Sequence, residues 1–163
     1  DSFNKTHQRQ VVMANLSINE LSEKDIKRSY TFIYVFEKIL NSKYGTFDFD
    51  NLEVTKFCQT NHIDKKVRRN TKPTENYFWF DTKKVNGNQN KDFAHNLLRH
   101  IRNAMAHGNF KKERSRKSYY ILEDYNTKGV QTMYGKIKAE LFWQYISLII
   151  HSSPHIDANV NYW

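Results

Sequence analysis

Very little punctuates this chain: 163 residues contain one cysteine, two prolines and five glycines. The single thiol, Cys58, cannot close an intramolecular disulfide and has no partner for a zinc pattern, so a reducing, cytoplasmic setting is expected. Without Gly- or Pro-rich tracts, low-complexity segments or a fixed-period repeat, the sequence excludes collagen-like chains, flexible linkers and solenoids. No apolar run approaches the roughly 20 residues that cross a bilayer, and the opening DSFNKTHQRQ has no apolar signal core, so no membrane partner is expected. Phosphate-binding G-x-x-x-x-G-K-[ST] and dinucleotide-binding G-x-G-x-x-G patterns are missing too, which disfavours P-loop hydrolysis and dinucleotide binding.

What is present is aromatic and cationic. Eleven Phe, ten Tyr and three Trp need an interior or a second subunit to cover them, and the length suits one domain over residues 1–163. Residues 1–20 are expected to be peripheral and 155–163 a tail. The net charge of +9 favours polyanionic partners, because Lys and Arg that neutralise phosphates release condensed counterions. Two clusters concentrate that charge, Lys65-Lys66-Val67-Arg68-Arg69 and Lys111-Lys112-Glu113-Arg114-Ser115-Arg116-Lys117. Either could instead be a solvated loop.

Helical periodicity dominates. Ser22 with Asp25 three positions on resembles a capping box, and the spacing predicts a long helix to Asn41 with a face of Ile26, Tyr30, Ile33, Tyr34 and Glu37. A shorter helix is expected over 50–60. Residues 61–90 give no clear period beyond a basic loop, the aromatic run Tyr77-Phe78-Trp79-Phe80 and a turn-like VNGNQN. From Lys91, Phe93, Leu97, Leu98, Ile101, Ala104 and Met105 form an apolar stripe, with Gly108 where a C-terminal cap belongs. SYYILED and Val130–Met133 flank Asn126-Thr127-Lys128-Gly129 as a small hairpin within 118–134, and helical period returns over 136–151 before Pro154.

The end of the third helix carries the chemistry. Residues turn about 100° each, so Asn96, His100, Asn103 and His107 share one polar face, with Arg99 at its edge. Arg102 points about 140° away from His107, so the two converge only near the last turn or with help from a second copy. A lone histidine there is easily explained by the helix dipole and a glycine cap. In company with Arg and Asn it suggests more: imidazole moves protons near neutral pH, Arg grips phosphate with paired hydrogen bonds, and RNA carries its own 2′-hydroxyl nucleophile. A proton-accepting His107 and a charge-stabilising Arg102 could cleave it without metal.

Arg102-Asn103-Ala104-Met105-Ala106-His107 fits an R-N-x-x-x-H pattern, and RNAMAHGNF resembles the HEPN superfamily (higher eukaryotes and prokaryotes nucleotide-binding domains). The resemblance implies a mainly α fold, an antiparallel helical bundle with a small β-hairpin insertion, dimerised so that two motifs face each other across a basic cleft. It also implies a metal-independent endoribonuclease acting on single-stranded RNA, leaving 2′,3′-cyclic phosphate ends, often as a toxin or antiviral effector. By position, Arg102 and His107 become the catalytic pair and Asn103 their support. Arg99, His100, Lys111, Lys112, Arg114, Arg116 and Lys117 become candidates for RNA contact. No cofactor or metal is expected; RNA, a second copy of the chain and an antitoxin or regulatory protein are the expected partners. The tyrosine that receives AMP in HEPN toxins paired with nucleotidyltransferase antitoxins is Asn109 here, which argues against that route of neutralisation. Two rivals remain: a non-catalytic RNA-binding or dimeric scaffold module, and a helical interaction protein.

The remaining candidates are weaker. Asp48, Asp50, Glu53, Glu123 and Asp124 lack the spacing of a metal site, and His62, His95, His151 and His155 suit surface or packing roles. The YFWF run could stack bases or pack in a core or dimer contact.

Overall fold

The computed structural model describes residues 21–83, 89–114 and 116–163, with only the backbone of 89–92. The expected periphery at 1–20, most of the VNGNQN turn and Ser115 lie outside the described residues. In chain order the elements are α1 (Glu23–Lys38), a 3-10 turn (Leu40–Lys43), α2 (Leu52–Asn61), β1 (Ile63–Asp64), β2 (Asn76–Phe80) and α3 (Gln89–Ala106). They continue with β3 (Phe110–Arg114), β4 (Ser118–Tyr125), β5 (Gln131–Lys138) and α4 (Ala139–His151).

This corrects the expected mainly α bundle. The strands form one five-stranded mixed sheet in the order β1-β2-β5-β4-β3, with β1 and β2 parallel and every other pair antiparallel. Three segments hid their strand character. β2 is aromatic on both faces, so it shows no polar alternation. β3 looks like a charge run, although Phe110 is buried and its backbone pairs along β4. Lys136-Ile137-Lys138 suits a helix start or a strand end. Pairing with β4 decides it, because Ile137 is buried opposite Tyr120 and the Lys138 N–H donates to Asn76 Oδ1 at 2.7 Å. The hairpin therefore runs to 138, and α4 begins at Ala139.

The core lies on one face of the sheet. Phe78, Phe80, Phe110, Tyr120, Leu122, Met133 and Ile137 meet Leu97, Leu98 and Ile101 of α3 and Phe142, Tyr145, Ile146 and Ile149 of α4. Burial of each large apolar side chain contributes about 1.5–3 kcal/mol. The expected tail also contributes: the Trp163 ring packs 5.3 Å from Trp143, and its indole N–H donates to the Trp143 carbonyl at 3.3 Å.

α1 opens with a complete capping box. Ser22 Oγ accepts from the Asp25 N–H at 3.1 Å, and the Ser22 N–H donates to Asp25 Oδ2 at 2.9 Å. Asp25 is buried, takes a hydrogen bond from the Tyr120 hydroxyl and pairs with Lys112 at 3.3 Å. That anchor sets the rotation of the helix. Phe32, Val35 and Phe36 face inward, while Tyr30 and Tyr34, expected on the buried face, are 70% and 65% exposed.

At Gly135 the neighbouring strand β2 leaves no room for a side chain. A Cβ there would lie 2.4 Å from the Phe78 ring, on the strand that pairs with it. We expect Gly135→Ala to lower unfolding stability by about 1–3 kcal/mol in urea titration. Combining it with Phe78→Leu should cost less than the sum of the two single changes.

Candidate functional site

α3 stops in a Schellman motif. The Gly108 N–H bonds the Met105 carbonyl at 3.3 Å, the Asn109 N–H bonds the Ala104 carbonyl at 2.8 Å, and Gly108 takes a φ of 73°. His107 is thereby fixed as the last residue before the glycine and is exposed. The Asn109 carbonyl accepts from the Glu123 N–H at 3.1 Å, which ties the helix stop to β4. The backbone of Asn109 is thus part of the stop.

The polar stripe expected along α3 is real, and most of it is engaged. Asn96 is fully buried; its amide exchanges two hydrogen bonds of 3.1 Å with the backbone of Lys83, and its Oδ1 accepts from Arg99 at 2.9 Å. His100 is 2% exposed, with Nδ1 2.8 Å from Asp124 Oδ2 and Nε2 2.7 Å from the Asp81 carbonyl. Asn103 donates to the same Asp124 oxygen at 3.1 Å. A carbonyl and a carboxylate both accept, so a proton on each nitrogen would let the His100 ring satisfy both. Arg99 Nη2 stands farther from Nε2, at 3.4 Å.

His107 does not share this engagement. Its side chain makes no hydrogen bond or ion pair with another described residue. It borders a cleft of about 490 Å³ at the end of the sheet, together with Lys83, Arg99, His100, Asn103, Asp124 and the β4–β5 turn at Asn126 and Thr127. Arg99 and Lys83 bring positive charge to that cleft. Burial depresses the Arg99 guanidinium, and the charges of Asp124 and the Tyr44 phenol pull it back.

Arg102 lies elsewhere. Its Nε sits 2.7 Å from Glu37 Oε1 of α1, at a poor angle for a hydrogen bond, while Nη1 donates to Asn103 Oδ1 at 3.0 Å. It does not border the cleft. Asn103 therefore links the two sides, holding Arg102 with its oxygen and Asp124 with its nitrogen. Of the basic segment, Lys112 turns inward to Asp25, whereas Lys111, Arg114, Arg116 and Lys117 are exposed on the edge strand and its turn, away from the cleft lining. His95 is buried among the rings of Phe36, Tyr44 and Phe47. Cys58 is buried and its thiol is pushed up to about 11 by burial, which keeps it protonated and inert.

Glu37, Lys83 and Asp124 were not assigned to this site from sequence. Asp124 had a readable signal: Tyr120, Leu122 and Asp124 share the inward phase of β4, and a carboxylate in that phase needs a buried donor. Glu37 was placed on a helix face, but nothing local indicated its pairing with Arg102. Among the described residues, no three His, Cys, Asp or Glu side chains gather where they could hold a metal ion, and no helix is long and apolar enough to cross a membrane.

Burial works to raise the Asp124 carboxyl, yet the hydrogen bonds from His100 and Asn103 and the His100 charge outweigh it and hold the group below the usual carboxylate range. A depressed folded value means the stabilisation is present above the unfolded carboxylate range, near 3.9, and is lost as pH falls through the folded value. Asp124→Asn should therefore cost about 3 kcal/mol at neutral pH, and the gap from wild type should close below about pH 4 in chemical denaturation.

A family model described as HEPN pEK499 p136 matches residues 7–155. No curated protein and no solved structure matches the chain. The match spans the capping box, the whole sheet and the Arg102–His107 helix end: the chain belongs to the HEPN pEK499 p136 family, a HEPN-type domain.

Proposed function

We propose that the protein is a metal-independent endoribonuclease cutting single-stranded RNA, with His107 as the proton-transfer group and Arg102 as the stabiliser of the phosphorane, at a site shared between two copies. The observation that carries this is the state of His107: an exposed imidazole with no bond to another described residue, at the rim of a cleft that Lys83 and Arg99 share with Asp81 and Asp124, on a helix face whose Asn96, His100 and Asn103 are already engaged. His107 takes the proton of the 2′-hydroxyl, the 2′-oxygen bonds to phosphorus, and the P–O5′ bond breaks. The 5′-oxygen leaves with the proton that His107 has taken up, giving 2′,3′-cyclic phosphate and 5′-hydroxyl ends. Within one copy Arg102 faces Glu37 while His107 faces the cleft, which suits a site that draws on a second subunit. Asn103 would position Arg102 through the 3.0 Å bond. Cytoplasmic action as a toxin or antiviral effector, under an antitoxin or other regulatory protein, completes this reading.

A second reading, an RNA-binding or dimeric scaffold domain without turnover, is favoured by the Arg102–Glu37 pair, which neutralises the guanidinium that catalysis would use.

Purified protein in EDTA should cleave total RNA, tRNA included, to cyclic-phosphate ends, and His107→Ala should slow this by about 100-fold or more. No cleavage of any substrate, or a His107→Ala variant as fast as wild type, refutes the nuclease. Salt-sensitive binding without product would support the second reading.

A further inference from the structure

The sheet face turned away from the helices has a composition of its own. Alternation along the strands places Tyr77 and Trp79 of β2, Tyr134, Lys136 and Lys138 of β5, Tyr119, Ile121 and Glu123 of β4 and Lys111 and Glu113 of β3 on that side, and register sets Trp79 beside Tyr134, Tyr134 beside Glu123 and Tyr77 beside Lys136. Their recorded ring contacts are with one another and with cations. Tyr77 and Tyr134 lie 5.9 Å apart, Arg69 sits 4.8 Å over Trp79, and Lys136 sits 4.9 Å over Tyr119. Cross-strand aromatic pairs also stabilise sheets, so rings alone would mean little. Here they wall a cavity of about 330 Å³, closed on its other side by the loop Asn70-Thr71-Lys72 and rimmed by Gln131. Aromatic walls, amides at the rim and flanking cations are the chemistry that seats a base and its phosphate.

We infer that this outer face binds single-stranded RNA, with a base in the Tyr77–Trp79–Tyr134 pocket and phosphates against Arg69 and Lys72. Glu113 and Glu123 are answered on this face by Lys111, Lys136 and Lys138, and with the net charge of +9 the balance favours a polyanion over a neutral or apolar partner. Continuity with the His107 cleft supports it. Arg69 donates to the Gln131 carbonyl and stands 3.9 Å from Asp81, and Asp81 and Thr132 line the cleft while Trp79 and Gln131 line the pocket. One strand of RNA can thus run from the aromatic pocket past Arg69 to His107. The inference shares with the nuclease reading the premise that RNA is the ligand, but needs no turnover.

The test uses His107→Ala protein, in which cleavage cannot consume the probe, and a short single-stranded oligoribonucleotide of mixed sequence. Trp79→Ala and Tyr134→Ala should each weaken binding roughly 5- to 150-fold, and Trp79→Phe should restore most of it. Arg69→Gln and Lys72→Gln, both at exposed positions, should each reduce the slope of log affinity against log salt by about 0.7. Unchanged affinity in both aromatic variants overturns the inference, as does an unchanged salt slope in both glutamine variants. A changed oligomeric state with unchanged affinity overturns it too, by making the face a subunit contact. Wild-type protein that binds through these residues but cleaves nothing would sink the nuclease and leave this face standing; cleavage with unaffected aromatic variants would do the reverse.

Discussion

One buried carboxylate ties the end of the sheet to the helix that crosses it. Asp124 sits on the inward phase of a central strand, 3% exposed, and takes hydrogen bonds from His100 and Asn103 of the helix that crosses it. A charge in that position is costly unless paired, and the His100 ring with the Asn103 amide meets the need. The same contact fixes the rotation of α3 about its axis. With that rotation set, the Schellman stop can leave His107 at the cleft, and Asn103 can hold Arg102 on the opposite side.

Asp25 plays a related part at the other end of the sheet. It caps α1, accepts from Tyr120 and pairs with Lys112. Burial opposes its ionisation, but the bonds from Tyr120 and Ser22 and the Lys112 charge prevail and depress its carboxyl. Because α1 is locked in that rotation, Glu37 in its last turns meets Arg102. Asp25 on α1 and Asp124 on β4 therefore orient α1, which supplies Glu37, and α3, which carries Arg102 and ends at His107.

Much of this was legible in the chain, and the losses have physical causes. The capping box at Ser22, the apolar stripe of α3 and its glycine stop are local signals, encoded within a few residues, and each appears as expected. The sheet is a matter of distant pairing. β2 and β5 recognise each other across more than fifty residues through Gly135 beneath Phe78 and Asn76 at the Lys138 N–H, which no short window contains. The family pattern located Arg102 and His107 but encouraged a helical bundle that the strands overrule. Exposure of Tyr30 and Tyr34 had the same origin: the buried face of α1 is chosen by Asp25, a polar residue that hydrophobic periodicity does not count.

The two histidines of α3 divide the labour: His100 is held between Asp124 and the Asp81 carbonyl, whereas His107 is exposed and its side chain bonds no other described residue. Ring-selective nitrogen–proton spectra of the histidines test this division most directly. Two slowly exchanging N–H signals from the His100 ring, lost in Asp124→Asn, with a His107 ring in rapid exchange with water, are the expected result. A His100 ring with one bare nitrogen, or a His107 ring protected from solvent, would contradict it.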